Sequence, residues 1–369
     1  MRKTANSRLK PLVVAFLSVF LFAQLSIVTL GVEKGPGLIS FGSESDWNSG
    51  SLRGMKINKG ALRPTSGTRS AEFLSPWMGH KLDLVPFDRL IFSWNACTPP
   101  GTSIELKAQL RVGGNATSWV STGRWSSNGN SGSKSTSTPS LIVAIDTIKV
   151  RSGKAVDFRF KIITKTDQGN QTPEIRRVFA TYWRSDLGID RYSAQTKEDY
   201  VDIPVPEESQ FEEDPEISSR ICSPTSLSMV LQYYGFKLNP TEVAEKVYDS
   251  GADIYGNWSF NTAFAGSLGP TSYVRYFRSA SKLFEELKDG RPVIASIAFG
   301  KGELSGAPIE DTSGHLVVIR GFEQNNGKYR LIVNDPAAPS DSSVRREYDL
   351  KEFISAWRGI GYVIGSQEK

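Results

Sequence analysis

The chain has 369 residues, enough for two ordinary domains. Its apolar fraction of 39% and charged fraction of 22% are those of a folded protein and exclude a disordered chain. The net charge of +5 does not indicate a nucleic-acid partner: Arg2, Lys3, Arg8 and Lys10 supply four of the cations, which leaves about +1 on the rest.

Those four cations precede an apolar run from Leu12 to Leu30, broken only by Ser18, Gln24, Ser26 and Thr29. A basic segment followed by an apolar one reads as an export signal or an N-terminal anchor over residues 1–31. The run approaches the length of a membrane span, and Thr29-x-Gly31 is a weak cleavage site, so both forms stay open. Localisation is therefore expected outside the cytoplasm, either secreted or membrane-anchored.

Residues 38–186 read as a β-sandwich. Ile104, Leu106, Ala108 and Leu110 alternate with Glu105, Lys107 and Gln109, and Val156, Phe158, Phe160 and Ile162 alternate with Asp157, Arg159 and Lys161. A period of two with one polar face marks half-buried antiparallel strands. Short strands between Gly, Pro, Ser and Asn clusters suit a sandwich. The stretch from Ser126 to Ser140 reads as a long surface loop. Six of the eight tryptophans lie here, and core packing explains most of them; any that are exposed would suit a surface polymer or carbohydrate. Cys97 reads as a buried core thiol.

Residues 187–199 read as an acidic linker. The acidity runs on: between Glu198 and Glu216 there are nine acids, a composition expected of a solvated joint.

From residue 200 to the end, helical and strand-like patterns mix. Pro224 suits a first helical turn, and Leu227, Val230, Leu231 and Tyr234 share one face before Gly235 stops the helix. Asn239 to Glu242 is a capping box. A third helix spans Ser281 to Leu287, and Val293 to Phe299 reads as a buried strand. The segment 353–357 reads as helix, and 362–364 as a strand. Residues 200–369 thus hold a core of their own, and a piece starting near Asp199 is expected to fold alone.

Three residues in this half carry chemistry. Cys222 opens the first helix, where unpaired N–H groups and the helix dipole favour thiolate, the nucleophilic form. His315, one of only two histidines, begins the apolar run Gly314 to Ile319. Asp335 ends a second run, Leu331 to Asp335. Cysteine, histidine and aspartate are the parts needed for covalent acyl transfer. His315 and Asp335 are twenty apart, and Glu323 to Lys328 is a turn signal at their midpoint. An antiparallel hairpin then puts the two opposite each other within a residue or two, so that the aspartate can fix the imidazole tautomer. No Cys/His spacing matches a zinc site.

The segment Ile221-Cys222-Ser223-Pro224-Thr225-Ser226-Leu227 resembles the nucleophile segment of the bacteriocin-processing-type peptidases, a C39-like family of papain-like cysteine peptidases. Gly314-His315-Leu316-Val317-Val318 and Val333-Asn334-Asp335-Pro336 resemble that family's histidine and aspartate segments, in the same order. The likeness is to its exported, stand-alone branch and covers about residues 200–366. It implies an α+β papain-like domain with Cys222 as nucleophile, His315 as general base and Asp335 as the group that orients it. It also implies an oxyanion-stabilising glutamine upstream of the cysteine. Position 216 is Glu216, which is unsuitable when ionised, and Gln210 resembles the Ser-Gln of the exported branch. Trp258 and Asn261, read as loop residues, are expected to line the substrate cleft. The expected function is an exported cysteine peptidase acting on a peptide or protein, with no metal, cofactor or nucleic acid. The alternatives are a cell-wall amidase or transpeptidase with the same three residues, or an inactive surface-binding protein.

Overall fold

In a computed structural model of the chain, residues 37–365 are described, apart from 81, 83, 168–170 and 191–195; the apolar leader lies outside the described residues. The first domain is two antiparallel sheets face to face. One runs, in spatial order, Thr136–Ser137, Leu141–Ala144, Thr147–Val150, Arg89–Cys97, Glu174–Trp183, Ala61–Pro64 and Met55–Asn58, with Gly37–Phe41 also on Glu174–Trp183. The other is built on Ala155–Thr166 and Thr102–Val112. The alternation seen in sequence is real: Ile104, Leu106, Ala108 and Leu110 are buried, and so are Phe158, Phe160 and Ile162. Val156 departs from it. A bulge between Ala155 and Asp157 turns Val156 outward, and Asp157 is buried instead, accepting the Gly79 N–H at 2.6 Å.

Trp47, Trp94 and Trp125 are in the sandwich core. Trp77 and Trp119 are half-buried and covered by cations, Arg111 and Arg159 over the first ring and Arg159 and Lys161 over the second. Cys97 is not a core thiol; it lies half-buried at the end of its strand.

The second domain is a seven-stranded antiparallel sheet in the order Ser272–Tyr276, Trp357–Ile364, Val293–Phe299, Thr312–Asn325, Lys328–Asn334, Arg345–Asp349, with Tyr200–Asp202 also on Thr312–Asn325. The helix Cys222–Tyr233 packs against it, burying Leu227, Val230 and Leu231, and ends at Gly235 with φ +89°. Asn239 and Glu242 form the capping box of the helix Pro240–Val247. The fold class is α+β, an all-β sandwich followed by a domain of helices and an antiparallel sheet.

Two readings of the sequence need correction. The acids after Glu198 are not all solvated: Asp202 and Glu207 hold the buried Arg320 at 2.7 and 3.0 Å, Glu208 accepts from Gln232, and Glu213 accepts from Thr241, while Asp199, Glu212, Asp214 and Glu216 are exposed. A buried guanidinium needs such partners. Nor is Ser126 to Ser140 a free surface loop. Ser126, Ser131 and Ser133 are buried, and Ser133 donates its N–H to Asp249 of the second domain at 2.7 Å.

That contact is one of many between the domains. The helix Trp258–Ser267 puts Phe260 and Ala263 into the sandwich core, while Ile91, Phe179 and Trp183 of the sandwich belong to the core of the second domain. Trp183 stacks on Tyr276 with ring centroids 5.0 Å apart. Asn95 and Ser93 bind the backbone of Ser272 and Val274. The outer edge of the strand Ser272–Tyr276 is thus covered by the sandwich.

Candidate active site

Cys222 is the first residue of its helix, and Ile221 before it makes no side-chain cap. The first N–H groups of the helix are therefore left to whatever sits at the thiol. Tyr362 fixes this turn from below, its hydroxyl 3.0 Å from Ser223 Oγ. Ser226 Oγ donates to the Leu316 carbonyl at 3.1 Å and so ties the helix to the strand that carries His315.

The hairpin brings the other two groups in. Its turn is Asn326-Gly327, with φ +51° and +75°, a conformation that Asn and Gly tolerate. Near the turn the register runs Asn325↔Lys328 to Gly321↔Ile332; beyond a bulge at Arg320 it runs Ile319↔Val333 and Val318↔Asn334. One further step places Asp335 across from Val317, two residues from His315 and on the same face. His315 Nε2 lies 2.7 Å from Asp335 Oδ1. The carboxylate is held from two more sides, by the Tyr348 hydroxyl on Oδ2 at 2.7 Å and the Ala337 N–H on Oδ1 at 3.0 Å.

With Nε2 committed to Asp335, Nδ1 is the nitrogen left for the thiol, and His315 hydrogen-bonds Cys222. Burial pushes the Cys222 thiol up, but the hydrogen bond and charge of His315, with the Leu316 N–H, bring it below the ordinary thiol value. Burial pulls the imidazole down, but Asp335 and Cys222 outweigh it and push His315 up to about 10. Asp335 is raised by burial and lowered more by His315, Tyr348 and the Ala337 N–H, so it ends below the usual carboxylate range. All three shifts favour a thiolate–imidazolium pair with an ionised aspartate behind it.

Gln210 is buried against the loop that follows Asp335. Ser209 is clamped to the loop after Asp335, its hydroxyl donating to the Ala338 carbonyl at 2.5 Å, and the Gln210 N–H donates to Pro336 O at 2.9 Å. Gln210 Nε2 donates one proton to Ser218 O at 2.8 Å, which fixes the amide orientation and leaves its second proton free of that bond. Its Oε1 is buried with no partner among the described residues. Glu216 is exposed.

Trp258 and Asn261 are not loop residues. They lie in the first turn of the helix Trp258–Ser267, which Asn257 caps. Trp258 is half-buried, and its N–H donates at 2.7 Å to Asp146, a carboxyl of the sandwich pushed up to about 6 by burial. Asn261 is fully buried and spends its amide protons on the carbonyls of Tyr255 and Asn257 at 2.8 and 2.9 Å. It braces the approach to the helix and presents nothing to solvent. Tyr348 escaped the sequence reading, since a tyrosine in a polar edge strand carries no signal of its own.

A cysteine that opens a helix packed on an antiparallel sheet, with a histidine of that sheet beside it, is the layout of a papain-like domain. The chain belongs to the C39-like peptidases: residues 202–364 match the model of the Peptidase_C39 like family, and residues 38–182 match that of the Peptidase C39 N-terminal domain. Among solved structures the chain is similar to a protein from Bacillus anthracis described as a C39-like peptidase, with 18% identity, a TM-score of 0.35, and coverage of 47% of this chain and all of that one. It is also similar to the peptidase domain of Streptococcus ComA, a bi-functional ABC transporter involved in quorum sensing, with 23% identity, a TM-score of 0.30, and coverage of 44% of this chain and 97% of that one. No curated protein matches the chain.

Proposed function

We propose that this chain is an exported cysteine peptidase that cleaves peptide bonds with Cys222, His315 and Asp335. The observation that carries the reading is the 2.7 Å bond from His315 Nε2 to Asp335, which leaves Nδ1 for a thiol lowered at a helix N-terminus. The Cys222 thiolate attacks the carbonyl carbon. The oxyanion takes the Cys222 N–H and the free proton of Gln210 Nε2. The His315 imidazolium protonates the leaving amine, and a water deprotonated by the neutral imidazole then hydrolyses the thioester. Asp335 holds the ring in the tautomer both steps need, and Tyr348 holds Asp335. Export rests on the basic-then-apolar leader. The cation-covered rings of Trp77 and Trp119 suit an anionic surface polymer better than a neutral sugar, because the ring faces are occupied.

Thiol labelling of the full chain at pH 6 tests this. Cys222 should react with iodoacetamide at least tenfold faster than Cys97, since His315 stabilises the Cys222 thiolate. Cys222→Ala should abolish hydrolysis of a mixed-peptide substrate pool. Equal, slow labelling of both thiols would refute the reading.

A further inference from the structure

Asp335 reaches His315 only because one residue in the strand Thr312–Asn325 is unpaired. Between Ile319↔Val333 and Gly321↔Ile332 the long strand advances two residues while its partner advances one. The extra residue is Arg320. If the register near the turn ran on unbroken, Asp335 would lie across from Val318, whose side chain points to the face opposite His315. One residue of slip would place the carboxylate on the wrong side of the sheet. The bulge converts that arrangement into the observed one, with Asp335 across from Val317 and sharing a face with His315.

The bulge is held by its own side chain. Arg320 is buried, and its guanidinium donates to Asp202 Oδ1 at 2.7 Å, Glu207 Oε1 at 3.0 Å, the Val205 carbonyl at 3.2 Å and Asn334 Oδ1 at 3.1 Å. Its carbonyl accepts the Ile203 N–H at 3.0 Å, so the bulged peptide is satisfied from the 200–205 segment instead of the hairpin. Asn334 is the residue just before Asp335, and its own amide donates to Pro206 O at 2.8 Å. The same side chain therefore grips the bulge, the neighbour of Asp335 and the segment that leads into Ser209 and Gln210. A planar fork with several fixed donors suits this; a lysine offers a point charge without the fork.

We infer that Arg320 is a positioning residue: it fixes the hairpin register that brings Asp335 to His315. The inference rests on the peptidase reading of Cys222, His315 and Asp335. Arg320 touches neither substrate nor the reacting atoms, so its effect is exerted through Asp335.

The test is a double-mutant cycle on the full chain, read by the pH profile of Cys222 alkylation with iodoacetamide. Arg320→Lys should move the rise of the profile upward by about one pH unit, a fall of about tenfold in rate at pH 6. In an Asp335→Asn background the same substitution should change that rate by less than about twofold, since the group it acts through is already gone. Lower melting temperature alone, with an unshifted profile, would overturn the inference, as would an equal fall in both backgrounds. Should Arg320→Lys not fold, Asn334→Ala cuts the same tie from the other strand and is read by the same two criteria. A wild-type chain with no reactivity at low pH would overturn the peptidase reading and this inference together. A reactive wild type whose profile ignores both substitutions overturns the inference alone.

Discussion

Removing the sandwich should unfold the peptidase domain, although residues 200–369 look self-sufficient in sequence. A chain beginning at Asp199 would expose Phe260, Tyr273 and Tyr276, which meet Trp94, Phe179 and Trp183 across the boundary at ring centroid distances of 6.3, 4.8 and 5.0 Å. Burying a large apolar side chain is worth about 1.5–3 kcal/mol, so losing roughly half of that for each ring costs about 3 kcal/mol. The hydrogen bonds of Asn95 and Ser93 to the strand Ser272–Tyr276, and that of Ser259 to Phe92 O at 2.6 Å, add about 1 kcal/mol each. The bond from Asp146 to the first N–H of the helix Trp258–Ser267 adds about 1 kcal/mol more. The total, about 7 kcal/mol, is comparable to the whole stability of a domain, typically about 5–15 kcal/mol. The cut also bares the edge of Ser272–Tyr276, an invitation to strand pairing between molecules. We expect the truncated chain to be insoluble, or soluble without a cooperative thermal transition by far-UV circular dichroism, and to lose fast Cys222 labelling. A soluble piece melting within a few degrees of the longer chain and labelled at the same rate would refute this account of the interface.

Two further predictions concern the site. Gln210→Ala should cost roughly 3 kcal/mol of transition-state stabilisation, seen mainly in kcat, while Glu216→Ala changes little; a folded Gln210→Ala variant with near-normal kcat would remove Gln210 from the oxyanion site. Stability should depend on pH through His315 and Asp335. The imidazole rises from 6.5 to about 10 on folding, so its contribution is full below pH 6.5 and is lost as pH rises toward 10. Asp335 is lowered from 3.8, so its contribution is present above that value and lost as pH falls through the lowered one. The pair thus stabilises most between about pH 4 and 6.5, and Asp335→Asn should flatten both limbs of the Tm–pH curve; unchanged limbs would show that other groups set them.

What the sequence disclosed, and what it hid, follows from the range of each interaction. Pro224, Gly235 and the Asn239–Glu242 box act within a turn or two, and the helices they bound stand where those residues place them. The Asn326-Gly327 turn likewise fixes the hairpin locally. The helix Trp258–Ser267 was missed because it is buried on every side from Ser259 to Gly266, wedged between two cores, so it has no polar face and no 3.6-residue period to read. The acids after Glu198 misled for a related reason: their partners Arg320, Gln232 and Thr241 are distant in sequence, and composition alone cannot tell a solvated run from a set of paired ones.

The bulge at Arg320 lies between these cases. A lone glycine within a strand pattern is a bulge signal, and Gly321 provides one inside the run from Leu316 to Phe322. At Gly321 a side chain would collide with the Val201 carbonyl, so the strand Tyr200–Asp202 can lie there only because the position is glycine. Counting from the turn alone places His315 and Asp335 near each other but on opposite faces. Counting through the bulge places them on one face, as the 2.7 Å bond requires. The pairing of His315 and Asp335 therefore depends on a single inserted residue, and the arginine there is anchored to the segment that also carries Gln210. A change in that segment would be felt at the His315 imidazole and at Gln210 together.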